Sequence, residues 1–202
     1  MTDVVDVGDL IKNELLPVLH PAISVHYAER NGPYHVYSCA TGKGNAPQPE
    51  LIAAIPVDIL LSLIGERIVF HVPLGGKNFS CVVGADWFQR RHRTGSNRLA
   101  VFKKATHCVV CGTEAKEWQM SLQSDGEVHL DLKAENGCIL TRDHIIPQSK
   151  YRFVFGTNKE IDSMQNSQVM CEICNNDKSD TLPEGVFCWF DETTIGNDNW
   201  II

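Results

Sequence analysis

The sequence predicts an α+β protein of two units, an N-terminal α+β unit over residues 1–104 and a metal-stabilised unit over residues 105–202. Three observations predict this organisation. Apolar runs of strand length and helix length follow one another through the first half. The second half contains two C-x-x-C motifs, which together supply the four thiolates of a closed zinc site. An Asn-Gly hairpin signal lies between these two motifs.

The first unit combines short helices and strands. Residues 7–20 have the spacing of a short amphipathic helix that Pro17 interrupts, and residues 50–66 predict a helix broken near Pro56. β-prone pieces bounded by turn residues predict strands at residues 22–29, 34–41, 67–72 and 79–84. No motif in this unit indicates an activity, so we expect it to serve specificity, dimerisation or partner binding.

The second unit has the order of a C-x-x-C turn, a hairpin, a long loop and a helix. Residues 108–111 form the turn, and two β-prone runs joined by "AENG" over residues 126–146 predict the hairpin. Residues 165–179 have helix-compatible spacing and carry the second C-x-x-C motif. The two cysteine pairs therefore lie on different elements.

The cysteine pairs are Cys108 with Cys111 and Cys171 with Cys174. Because 59 residues separate the pairs, a structural Zn²⁺ on all four thiolates would tie distant segments together. The alternative is four buried free cysteines. The acidic start of the chain lacks the order of a secretory signal, and no run is apolar enough to span a membrane. We therefore expect a reducing, cytoplasmic compartment, which favours metal binding over disulfides.

Charge is unevenly distributed in a chain whose net charge is −7. Residues 101–202 carry 16 acidic and 9 basic side chains, whereas residues 90–104 contain no acidic side chain. A local positive stripe can contact nucleic-acid phosphates, since charges act mainly within a Debye length. A solvated basic loop or helix explains the stripe equally well. Its members are Arg90, Arg91, Arg93, Arg98, Lys103 and Lys104.

A second polar group of residues surrounds the C-terminal cysteine pair. Four helix positions share one face by the i, i+3, i+4, i+7 rule: Cys171, Cys174, Asn175 and Lys178. Opposite this face we expect "TRDHIIPQS", where Asp143 offers a carboxylate for a hard cation and His144 offers an imidazole that can take a proton. Asp-His pairs are common as turn residues, so only the ordered combination is informative.

At these residues the chain resembles the HNH (His-Me finger) nucleases, which have a ββα-metal fold. The resemblance covers residues 108–180, in the stretches "CVVC", "DHIIPQS" and "NSQVMCEICNNDKSD". It implies that His144 is the general base, that Asp143 and Asn175 bind a divalent ion, and that Asn166 pins the loop and orients His144. Asn175 lies nine positions after Asn166, an interval shared with colicin-type nucleases and with the HNH domain of RNA-guided CRISPR nucleases.

The resemblance implies an endonuclease with Zn²⁺ on the four cysteines and Mg²⁺ or Mn²⁺ at the catalytic site. Asn175 stands where many family members have histidine, which favours a hard metal; Asn176 is the alternative if the register slips by one. Arg142 and Lys178 are candidates for holding a neighbouring phosphate, or else solvated surface charges. DNA is favoured over RNA as substrate, and restriction, homing, phage and antiphage-defence nucleases all fit.

Two other functions stay open. A non-catalytic zinc-stabilised module that binds nucleic acid or protein would keep the four cysteines without needing Asp143, His144 and Asn175 together. A nuclease subunit active only within a complex would use the first unit to dock a partner protein, and a homodimer would supply two active sites for two strands. The ordered presence of the three site residues favours the enzyme.

Overall fold

Nine strands and five helices make up the part of the protein that this computed structural model describes, residues 6–29, 31–39, 47–82, 95–124 and 126–190. The strands are β1 Ser24–Ala28, β2 Tyr34–Ser38, β3 Ala53–Pro56, β4 Ile68–Leu74, β5 Lys77–Val82, β6 Ala115–Leu122, β7 Val128–Ala134, β8 Ile139–His144 and β9 Ser167–Cys171. The helices are α1 Val7–Leu10, extended by a π turn and a 3₁₀ turn to Val18, α2 Val57–Leu63, α3 Gly95–Phe102, α4 Gln148–Phe155 and α5 Glu172–Lys178. The predicted mixed α+β class is confirmed.

Four antiparallel strands form the first sheet in the order β2-β1-β4-β5. They confirm the four strands predicted in the first unit, as far as the described residues extend. Burial alternates strictly along β4, where Phe70 and Val72 face inward and are fully buried. This alternation is typical of an antiparallel sheet with one face on the core. Gly75 and Gly76 close the β4–β5 turn with positive φ, which strains any residue with a side chain.

The second sheet has the order β3-β6-β7-β8-β9, and its first strand comes from the first unit. Residues 50–66 contain a helix, as predicted, but only after Pro56, where α2 begins. The helical prediction before Pro56 is wrong, because Ala53–Pro56 pair with β6. Proline has no backbone N–H and so donates no hydrogen bond to a neighbouring strand. It is therefore tolerated at the edge of a sheet, where one side of the strand is unpaired. β3 is such an edge, and it contains Pro56.

The site-bearing end of the second sheet consists of β8, β9, α5 and the connection between β8 and β9. The predicted hairpin over residues 126–146 is confirmed, since β7 and β8 pair antiparallel around Gly137, whose φ is 83°. The helix predicted over residues 165–179 is wrong in its first half, because β9 pairs with β8 and only α5 is helical. β6 and α4 had no counterpart among the predicted elements.

One hydrophobic core runs across the boundary predicted between residues 104 and 105. Its fully buried members come from both sides and include Ile11, Phe70, Trp118 and Leu140. A smaller cluster belongs to the β8–β9 connection and consists of Ile146, Tyr151 and Val154. The second sheet and this core are both continuous across that boundary. The division into two units stays a prediction. Within the described ranges, no helix is both long enough and apolar enough to cross a membrane.

Candidate functional site

The four cysteines of the two C-x-x-C motifs meet in space. Their sulfur atoms all lie within 4.8 Å of one another, which confirms the predicted convergence of Cys108, Cys111, Cys171 and Cys174. The first pair lies in a tight turn that the Gly112 amide closes by donating to the Cys108 carbonyl at 2.9 Å. The Val109 amide donates to the Val169 carbonyl at 3.0 Å and so joins this turn to β9. Four cysteines this close could hold a metal ion such as zinc.

Cys171 lies at the junction between β9 and α5. It is the last residue of the strand and the N-cap of the helix, and its Sγ accepts a hydrogen bond from the Cys174 amide at 3.5 Å. The Cys111 Sγ lies 3.8 Å from the Cys171 Sγ. Negative charge at a helix N-terminus is stabilised by the orphan amides and the helix dipole. The Cys174 amide alone would lower the pKa of Cys171, but burial and the Cys111 and Cys108 thiols raise it overall.

The thiols influence one another's ionisation. The Thr113 hydroxyl, 3.1 Å from the Cys111 Sγ, lowers the pKa of Cys111 to about 6. A hydrogen bond with the neighbouring Cys171 sulfur, followed by burial, raises the pKa of Cys174, because both favour the protonated thiol. A bound metal cation would keep all four thiols deprotonated and would offset their negative charge, since metal-bound thiols are thiolates and the ion carries the opposite charge. The donor set is therefore better suited to a soft metal ion than to four free thiolates.

Asn166 ties the β8–β9 connection together from a buried position. Its Oδ1 accepts from the Ile146 amide at 2.8 Å, and its Nδ2 donates to the carbonyls of Ile146 at 3.1 Å and of Ile161 at 2.9 Å. A side-chain amide that bonds two separate backbone positions fixes their distance from each other. These are the contacts that the expected loop-pinning role requires.

Asp143 is a buried carboxylate on the face of β8 that packs against α5. The Lys178 Nζ lies 3.0 Å from its Oδ2, and the Gln168 Nε2 donates to the same oxygen at 2.8 Å. Lys178 also donates to the His144 carbonyl at 2.8 Å. The last turn of α5 is thereby attached to the last two residues of β8.

Asn175 lies on the same side of β8 as Asp143. Its Nδ2 donates to the Thr141 Oγ1 at 3.2 Å, and residues two apart on a strand share a face. A carboxylate and an amide oxygen are the hard ligands that Mg²⁺ and Mn²⁺ prefer. Asp143 and Asn175 therefore have the ligand types that a hard divalent ion prefers, and they lie on the same side of β8.

His144 points to the other face of β8, as alternation along a strand requires for neighbouring residues. Its Nε2 lies 2.9 Å from the Asp162 Oδ1, 3.3 Å from the Arg142 Nη2 and 3.4 Å from the Gln148 Nε2. Burial alone would raise the pKa of Asp162, but the His144 hydrogen bond and the Arg142 guanidinium lower it overall. The imidazole is thus held by an ionised carboxylate, not by the helix that carries Asn175.

The basic residues assigned to nucleic-acid contact differ in their surroundings. The Arg98 Nη2 lies 2.6 Å from the Asp131 Oδ1, and the Lys103 Nζ donates to the Ile64 carbonyl at 2.6 Å. Lys104 is exposed and donates to the Met164 carbonyl at 3.4 Å. Arg142 and Lys178 make the contacts described above within the site. The remaining members of the stripe lie outside the described residues: Arg90, Arg91 and Arg93.

Two residues of the site were not anticipated from the sequence. Asp162 holds the imidazole and Gln168 holds the buried carboxylate. Gln168 had a signal, because it lies directly opposite Asp143 once β8 and β9 are paired. Asp162 had none, since it lies 18 residues after His144 in a connection without a fixed spacing.

Comparisons with protein-family models, with curated proteins and with solved structures find no match for this chain.

Proposed function

We propose that this protein is a metal-dependent HNH endonuclease that hydrolyses phosphodiester bonds in nucleic acid, with DNA preferred to RNA. One observation supports this more than any other: the Asp143-His144 strand end and the helix bearing Asn175 pack together beside the four-cysteine cluster. Lys178 joins the two elements, with its Nζ 3.0 Å from the Asp143 Oδ2 and 2.8 Å from the His144 carbonyl oxygen. The order strand, connection, strand and helix is the one expected of a ββα-metal unit, and it supports the proposal.

Each metal would have its own role in this proposal. Zn²⁺ on the four thiolates would clamp the turn that carries Cys108 and Cys111 to the start of α5, as structural zinc does in small domains with little core. Mg²⁺ or Mn²⁺, bound by Asp143 and Asn175, would supply charge stabilisation for the phosphorane and the leaving oxygen.

His144 takes the proton from the attacking water in this proposal. An ionised Asp162 can only accept hydrogen bonds, so the hydrogen in the 2.9 Å contact belongs to the His144 Nε2. Nδ1 then keeps the lone pair that can accept the proton. Because Asp143 and His144 are the last two residues of β8, a phosphate bound at the strand end would lie next to both faces of the strand.

The second candidate is a non-catalytic zinc-stabilised binding module. The observation that favours it is the ion pair of Asp143 with Lys178, in which the carboxylate already has a partner within the fold. In that case the polar residues at the strand end would serve structure alone. The four-cysteine cluster is common to both candidates, so only the site residues distinguish them.

The test is cleavage of supercoiled plasmid in Mg²⁺ or Mn²⁺, with single-stranded DNA and RNA as further substrates. His144→Ala should reduce the cleavage rate by about 10²–10⁴-fold, the usual contribution of a general base. His129→Ala, on β7 of the same sheet, is the matched control and should keep the wild-type rate. Equal rates for His144→Ala and wild type, or no cleavage of any substrate in either ion, would favour the binding module.

A further inference from the structure

Lys178 makes three polar contacts at the end of β8. Its Nζ lies 3.0 Å from the Asp143 Oδ2 and 3.3 Å from the Asp143 Oδ1, and it donates to the His144 carbonyl at 2.8 Å. The ammonium thus bridges both oxygens of the carboxylate. Asn175 lies one helical turn earlier on the same face of α5. The contacts centre on the carboxylate that the proposed function assigns to a divalent ion.

This ion pair is enclosed by the fold. Only 15% of the Lys178 side chain and 9% of the Asp143 side chain are exposed. The pair of Lys150 with Asp180 offers a contrast within the same chain, at 3.4 Å with 39% and 62% of the side chains exposed. Charges in an enclosed pair interact strongly, whereas solvent screens an exposed pair. Lys178 is therefore tightly coupled to the charge of Asp143.

A divalent ion and the ammonium need the same atoms. Mg²⁺ binds carboxylate oxygens at about 2.1 Å, and both Asp143 oxygens already contact Lys178. Two cations at one buried carboxylate repel each other strongly. The lysine stem is long and flexible, so the ammonium can leave by rotation of its side chain while α5 stays in place.

We infer that Lys178 is a built-in competitor of the divalent ion at Asp143, so that the ion binds by displacing the ammonium. This inference rests on the proposed function for the identity of the ion site. It makes Lys178 a positioning residue that sets the affinity for the ion. The displaced ammonium stays beside the strand end, where a substrate phosphate would bind it.

The test measures Mn²⁺ binding by full-length protein that retains its zinc, using the electron paramagnetic resonance signal of free Mn²⁺ and the melting temperature. Lys178→Met removes the charge and keeps most of the volume of the side chain. Breaking the buried pair leaves the Asp143 carboxylate without its counter-charge. Mn²⁺ should therefore bind to this variant at least about tenfold more tightly than to wild type. The Mn²⁺-induced rise in melting temperature should grow in parallel. Lys150→Met is the matched control and should leave both values unchanged.

Lys178→Arg keeps the positive charge and should bind Mn²⁺ no more tightly than wild type. If Lys178→Met is unfolded alone, refolding upon Mn²⁺ addition supports the inference, and failure to refold overturns it. Equal or weaker Mn²⁺ binding by Lys178→Met overturns it as well, as does an equal gain in Lys178→Arg.

Failure of this inference is distinguishable from failure of the proposed function. Mn²⁺ binding is read without any nucleic acid, so a protein that gains affinity in Lys178→Met and cleaves nothing supports the competitor role and contradicts the endonuclease. A protein whose cleavage depends on His144, with no gain in Mn²⁺ affinity, gives the opposite result.

Discussion

The first sheet and the site-bearing end of the second sheet are stabilised by different kinds of interaction. The inward face of the first sheet is apolar, with Val25, Ile68 and Phe70 fully buried. Among the described residues, every buried polar or charged side chain belongs to the site-bearing end: Asp143, Asn166 and Ser167. The four-cysteine cluster lies in this same region, at the start of α5.

The difference matters because apolar packing and polar packing respond differently to the loss of a single side chain. Apolar burial is non-directional and grows with the area removed from water. A buried hydrogen bond or ion pair contributes only while both partners are in place, and a partner left alone is destabilising. We therefore expect the site-bearing end to depend on a few specific atoms, and the first sheet to depend on its total buried surface.

Loss of a metal ion from the four-cysteine cluster should have the largest effect. Structural zinc contributes about 10–16 kcal/mol in zinc-finger peptides, more than any single side chain contributes. Strong chelation, or Cys174→Ser, should abolish amide hydrogen-exchange protection first in β8, β9 and α5, while β1 and β4 retain most of theirs. Cys188→Ser changes an exposed cysteine outside the cluster and is the control. Simultaneous loss of protection in both sheets would contradict the comparison.

Asn166→Ala should have an intermediate effect. The substitution leaves the Ile146 amide and carbonyl and the Ile161 carbonyl without their side-chain partner. Each buried group left unsatisfied costs about 1–3 kcal/mol, so the urea midpoint of unfolding should fall clearly. Asn158→Ala, at an exposed position of the same connection, should leave the midpoint almost unchanged. Equal midpoints for the two variants would show that the connection does not depend on this amide.

The smallest expected effect is a pH dependence on the outward face of the first sheet. The rings of His26 and His71 lie with centroids 4.0 Å apart, and burial, followed by the charge of His71, lowers the pKa of His26 from its ordinary value of 6.5. A lowered pKa means that the folded state favours neutral His26. Its contribution to stability is present above pH 6.5 and is lost as the pH falls through the folded-state pKa.

His26→Ala should reduce this acid sensitivity. Melting temperatures of wild type and variant between pH 8 and pH 5 measure it, because groups common to both proteins cancel in the difference. The two curves should converge as the pH falls; parallel curves would indicate that His26 titrates normally.

Sequence patterns predicted the elements whose residues carry a local signal. β4 follows from a β-prone run bounded by turn residues, and the β7–β8 hairpin follows from the "AENG" turn. The convergence of the cysteines follows from coordination chemistry, since two C-x-x-C pairs together supply the four ligands of one tetrahedral zinc site. Register with a partner strand was not needed for any of these predictions.

The wrong predictions share a different physical cause. β3 and β9 are short apolar runs next to helical segments, and periodicity alone cannot separate a short buried strand from a buried helix turn. Their strand conformation is determined by pairing with β6 and β8, which are distant in sequence. The helical spacing of Cys171, Cys174 and Asn175 is real, but it begins at the N-cap of α5 and not at Gln165.

The position of β3 at the edge of the second sheet has a consequence for dissecting the protein. A fragment that begins at residue 105 lacks β3, which pairs with β6 across from Trp118 and Met120. The backbone groups of β6 would then form an open, apolar edge, a template for intermolecular strand pairing. Aggregation of such a fragment would therefore reflect a missing strand and would carry no information about the chemistry of its cysteines or its histidine.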